Sequence, residues 1–137
     1  MFMDSGGVDK ITVDGTILAI LVRHRFRKPG CSFFTPNDFP FQLGIHIREA
    51  DELVQAHQHV SFAELKNLPA QEFFYIESGK IEIGIYNGKK LYTTLMLEKG
   101  DMIVLNCAHL LKFLSNTKRI ELKQVPYRGR EVEKEYF

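Results

Sequence analysis

Residues 56–79 read AHQHVSFAELKNLPAQEFFYIESG, and the fold turns on how they are read. His57 and His59 stand two apart, a spacing that puts both imidazoles on one face of a β-strand. Glu72 opens the apolar run Phe73-Phe74-Tyr75-Ile76, which stops at Ser78-Gly79. Alternation sets Glu72, Phe74 and Ile76 on one face and assigns Gln71 and Glu77 to the other, solvated one. A charged carboxylate on an inward strand face costs several kcal/mol unless it is paired. Two imidazoles beside that carboxylate are a ligand set for a divalent metal. Glu64 is a weaker ligand candidate in the intervening segment, where residues 61–70 read as a helical turn or an irregular excursion stopped by Pro69.

Working outward, the downstream chain repeats one pattern. In Lys80–Tyr86 the isoleucines 81, 83 and 85 alternate with Lys80, Glu82, Gly84 and Tyr86, and Asn87-Gly88 then signals a hairpin into Lys90–Leu97. Glu98-Lys99-Gly100-Asp101 is a polar turn before the strand Met102–Leu105. His109, Leu111 and Phe113 share a face of the next strand, and Arg119–Val125 alternates once more.

Upstream, Leu53–Val60 reads as the strand that carries both histidines, after a polar turn at 49–52. Gln42–Arg48 is a strand with Leu43, Ile45 and Ile47 on one side and His46 on the other, either at the surface or beside the site. The prolines at 36 and 40 make the Phe-rich segment 33–41 an extended edge and loop whose rings plug one end of the barrel. Asp14-Gly15 is a two-residue hairpin signal between Lys10–Val13 and Thr16–Arg23. Residues 1–9 read as a flexible lead-in, 10–125 as one barrel domain, and 126–137 as a charged tail packing on the barrel or on a partner subunit. Nine or ten short strands with tight turns describe an all-β antiparallel sandwich or barrel.

Composition removes several classes of function. A chain of 137 residues makes one domain able to bury roughly two thirds of its unfolded surface. A formal charge of +1 gives no footprint for nucleic acid, and the basic cluster 23–28 reads as a solvated strand end and loop. Cys31 and Cys107 are too few for a disulfide framework, and Cys107 sits in an apolar run as a small core residue. The first residues lack the pattern of a secretion signal, and the longest apolar run, 17–22, is too short to span a bilayer. A cytoplasmic protein is expected.

The residues also carry a family resemblance. Glu72 followed by Gly79 resembles the second half of the first cupin motif, in which two histidines, a glutamate and a glycine succeed one another along a hairpin. Gly100-Asp101, the apolar 102–105 and His109 resemble the second motif. Twelve residues separate His59 from Glu72, where the motif has only a few, and Asn106 and Ala108 stand where proline and glycine are usual. The extra residues read as an insertion, 60–71, at a hairpin tip over the mouth of the site. Phe34-Thr35-Pro36, Gln42-Leu43-Gly44 and the end 121–129 resemble a group of small cupins with the same insertion, associated with sugar and polysaccharide biosynthesis.

The resemblance implies an antiparallel jelly-roll barrel (a double-stranded β-helix) holding one divalent transition metal on His57, His59, Glu72 and His109. Iron, manganese, nickel, cobalt and zinc all suit such ligands. It implies metal-assisted isomerisation, epimerisation or oxygenation of a sugar or other small polar metabolite, with Tyr75, Tyr86, Tyr92 or His46 as candidate proton donors. The alternative is a non-catalytic carbohydrate or small-molecule binding module with a structural metal. A homodimer is expected, with the Thr16–Arg23 strand and the tail completing a neighbour's sheet.

Overall fold

The computed structural model describes residues 6–53, 55–56 and 71–123. Strands take up 58% of them, and there is no helix among them. In chain order the strands are β1 (Val8–Val13), β2 (Thr16–Val22), β3 (Gly30–Phe33), β4 (Gly44–Ile47), β5 (Glu72–Ser78), β6 (Lys80–Asn87), β7 (Lys90–Glu98), β8 (Met102–Leu105), β9 (His109–Phe113) and β10 (Lys118–Lys123). They fall into two compact units, one of residues 1–26 with 70–137 and one of residues 27–69.

The larger unit holds two antiparallel sheets, ordered β1-β2-β8-β5-β10 and β7-β6-β9. Asp14 and Gly15 both have positive φ, 49° and 78°, the conformation that lets a two-residue turn follow the twist of its strands. The central connections are nested. β6 pairs with β7 in one sheet while the flanking β5 pairs with β8 in the other; β9 then returns beside β6 and β10 beside β5.

The alternating isoleucines read from the sequence do face inward. Ile81, Ile83 and Ile85 of β6 join Phe74, Ile76, Leu21, Leu97 and Ile103 in one fully buried core drawn from both sheets. Each such side chain contributes about 1.5–3 kcal/mol on burial. The expectation for Gln71 fails, since it is 2% exposed and its Nε2 donates to Asn106 Oδ1 at 3.1 Å. Its face of the sheet is also covered, because Ile20, Val22 and Val104, on the side away from the core, are buried as well. Alternation separates core from solvent only where one face is wet.

Two polar ties fix this sheet. Asn106 donates its backbone N–H to Leu18 O at 2.9 Å and its side-chain amide to Ile17 O at 3.1 Å. A proline at 106 would lack both of these donors. Asp101, read only as a turn residue, is 0% exposed. Its Oδ2 accepts from Arg23 Nη1 at 2.8 Å and Glu98 N at 2.9 Å, and its Oδ1 from His24 N at 3.2 Å.

Gly79 has φ 96°, and a Cβ there would lie 2.6 Å from Thr117 Cα. Gly79→Ala is therefore expected to cost at least ~1–3 kcal/mol from backbone strain alone, read as a lower urea midpoint at unchanged slope. A loss under ~0.5 kcal/mol would mean that the 115–117 turn yields freely.

β1 begins at Val8, inside the stretch read as a lead-in. Asp9 is 4% exposed, and its Oδ1 has no hydrogen-bond partner. Burial pushes its carboxyl above the ordinary 3.8, and the charge of Arg23 opposes this in part. The native state then binds the Asp9 proton more tightly than the unfolded chain does. Asp9 thus costs stability at neutral pH, and the cost disappears as pH falls through the raised value. Asp9→Asn is expected to be the more stable protein at pH 7, with the gap closing in acid. Parallel pH–stability curves for the two proteins would refute the assignment.

Within the smaller unit, β3 and β4 form a hairpin with Cys31 opposite His46. The proline-bearing stretch is a loop, as read from the sequence, but Gly30–Phe33 ahead of it is a strand that the reading did not place. Thr35 Oγ1 and Gln42 close that loop at 3.0 Å, and Gln42 Nε2 donates to Pro36 O and Phe39 O. The turn at 49–52 forms, with Glu49 N donating to Glu52 Oε2 at 2.8 Å. Leu53 is 89% exposed and outside any strand, as are Gln55 and Ala56, so the start of the expected Leu53–Val60 strand is not one.

Candidate functional site

The two candidate ligands within the described residues come from different sheets. Glu72 opens β5 and shares its inward row with Phe74 and Ile76, both fully buried. His109 opens β9 opposite Ile85, on the inward row of the three-stranded sheet. The packing of the two sheets brings them together across 37 positions of chain, with His109 Nε2 3.6 Å from Glu72 Oε2. Their side chains are 21% and 24% exposed, at the margin of the core.

The imidazole is oriented by its other nitrogen. His109 Nδ1 lies 3.0 Å from the Cys107 carbonyl, which can only accept, so Nδ1 carries a hydrogen. The Phe74 ring meets the imidazole edge-on at 6.0 Å between centroids. Nε2 is thereby turned toward the carboxylate. A gap of 3.6 Å exceeds the hydrogen-bond range of about 2.7–3.2 Å. It is close to the ~3.0–3.4 Å that separates two ligand atoms on one metal with bonds near 2.1 Å. A backbone carbonyl behind Nδ1 is also the usual support of a metal-bound imidazole. The pair fits a divalent cation.

Cys107 contributes its carbonyl and no thiolate: burial pushes the thiol up to about 11, against weaker lowering by backbone hydrogen bonds at Tyr86 and Asn106. Among the described residues there is no group of three or more His, Cys, Asp and Glu side chains placed to hold a metal. The other two expected ligands, His57 and His59, lie outside the described residues, as does Glu64.

The candidate proton donors lie off this row. Tyr75 is on the opposite face of β5 from Phe74, and Tyr92 is 49% exposed beside a register shift at Ile85/Tyr86. His46 belongs to the smaller unit, where its Nε2 is 3.4 Å from Cys31 Sγ. One group missed in the sequence does face inward: Arg119 is in register with Ile76, and its guanidinium lies 4.3 Å over the Phe74 ring centroid. The signal was there in the alternation of β10, which puts Arg119 and Glu121 on one side.

The expected homodimer contact through the Thr16–Arg23 strand is not available as drawn, because β2 is flanked by β1 and β8. No helix among the described residues is long and apolar enough to cross a membrane. Compared with known proteins, the chain gives no significant match to any family model, curated protein or solved structure.

Proposed function

We propose that the chain is a metal-binding cupin, folded as a jelly-roll barrel, that acts on a sugar or other small polar metabolite by metal-assisted isomerisation, epimerisation or oxygenation. The observation that carries this is the His109–Glu72 pair, set 3.6 Å apart from two sheets with the imidazole held from behind by Cys107 O. The nested pairing supports the jelly roll. A ribbon of β5-β6 against β8-β7, bent so that each half joins a different sheet, is how a double-stranded β-helix is wound.

His57 and His59 complete the ligand set with Glu72 and His109. The segment that carries them precedes β5 in the chain, and β9 has one partner, β6, among the described strands. A bound divalent ion supplies Lewis acidity toward a carbonyl or hydroxyl oxygen. The protein's own residues set its surroundings: Cys107 O fixes the His109 tautomer, and Phe74 closes the floor of the site against the core.

Metal-loaded protein incubated with nucleotide sugars, keto acids and hydroxy acids is expected to turn over at least one of them, and Glu72→Gln to abolish that turnover at retained fold. Saturable binding without product, unchanged in Glu72→Gln, would replace the enzyme by a binding module.

A further inference from the structure

We infer that Arg119 is a carboxylate-recognising residue of the same site and that the metabolite is a monoanion, such as a hydroxy acid or an acidic sugar. The inference deepens the proposed function and rests on it for the location of the site. Arg119 faces the inside of the sandwich, in register with Ile76. Its Nη1 is buried and makes no hydrogen bond. The nearest carboxylate oxygen, Glu121 Oε1, is 4.0 Å away, beyond hydrogen-bond reach. The side chain as a whole is 25% exposed, so the guanidinium has an open edge while its Nη1 has no hydrogen-bond partner inside the protein. The guanidinium lies over the Phe74 ring, its Cζ 4.3 Å from the centroid.

Phe74 is shared. The ring under Arg119 is the ring that meets His109 edge-on at 6.0 Å, and His109 is 3.6 Å from Glu72. A small molecule at the Glu72–His109 pair therefore has a planar, two-pronged cation on the same aromatic platform. Guanidinium matches a carboxylate with paired N–H···O bonds, as the point charge of a lysine does not. The local charge argues for one negative charge on the ligand rather than two. On this row Arg119 is in register with Ile76 and Glu121 with Phe74, next to Glu72. Two carboxylates thus stand on the side of Arg119 toward which a ligand would extend, and they would repel a dianionic phosphate more than a carboxylate.

The test is a titration of the full chain, metal-loaded and chelator-treated, with acetate and with acetamide, its neutral counterpart. The Arg119 guanidinium NMR signal is the readout, identified by its loss in Arg119→Gln. Acetate is expected to shift that signal saturably and to bind at least about tenfold more tightly than acetamide, the weight of one charge-assisted hydrogen bond. Arg119→Gln should lower acetate affinity by a similar factor while leaving metal content unchanged, and Arg119→Lys should restore only part of it. Equal responses to acetate and acetamide in the wild type overturn the inference, leaving Arg119 as packing for Phe74. That contrast decides the matter even if Arg119→Gln does not fold. Metal content is measured on the same samples. An Arg119-dependent acetate site in protein that holds no metal would retire the metal reading alone; full metal with no acetate preference would retire the carboxylate alone.

Discussion

Protein purified without chelator is expected to carry about one transition-metal ion per chain, and the His57→Ala/His59→Ala double variant to carry almost none. The size of the effect follows from ligand count. Glu72 and His109 by themselves are two donors 3.6 Å apart, and two donors do not retain a divalent ion through purification. Removing the histidine pair leaves only those two. The single variant Glu72→Gln, which keeps three imidazoles, is expected to bind more weakly but measurably. Occupancy should also fall as the solution is acidified, because protons compete for the imidazole nitrogens. Elemental analysis of wild type and double variant decides the point: metal-free wild type of full stability, or equal metal in both proteins, would dismiss the site.

The second large effect is expected at Asp101. Its carboxylate is completely buried and accepts from Arg23, from Glu98 N and from His24 N, tying the end of β2 to the turn before β8. The same guanidinium nitrogen also donates to Met96 O at 2.7 Å. Asp101→Ala strands those donors and leaves Arg23 without its counter-charge, so a loss of about 3–5 kcal/mol is expected, the range for breaking one side of a buried pair. Arg23→Met should also destabilise, by leaving the buried carboxylate with its two backbone donors but no counter-charge. In a double-mutant cycle the two losses are expected to be far from additive. A loss below ~1 kcal/mol for Asp101→Ala in urea unfolding would show that water replaces the lost partners.

Much of this architecture is legible in the sequence because the relevant signals are local. The Asp14-Gly15 turn and the isoleucine ladder of β6 specify a hairpin and a core face without reference to anything distant. Asn87-Gly88 marks the β6–β7 hairpin one residue early, since Asn87 pairs with Lys90 and the turn is Gly88-Lys89. The inward placement of Glu72 follows from the same alternation. What the sequence hides is non-local. Gln71 is buried on the far side of its sheet together with Ile20, Val22 and Val104, a burial that no strand's own alternation announces. Asp101 looks like any turn aspartate until Arg23, 78 residues away, is brought against it. The β3–β4 hairpin is masked by prolines that lie in its loop rather than in its strands. For the site, the meeting of Glu72 with His109 depends on how two sheets pack, and resemblance rather than periodicity pointed to it.

The placement of Glu72 and His109 on separate sheets has a mechanical side. Sliding or spreading of one layer over the other changes the distance between them, so an ion gripped by both would act as a clasp across the sandwich. Loading such a clasp couples metal availability to the persistence of the fold, adding about 2.7 kcal/mol when free ion stands a hundredfold above its dissociation constant. The resistance of the chain to unfolding would then register the metal supply around it, before any metabolite arrives.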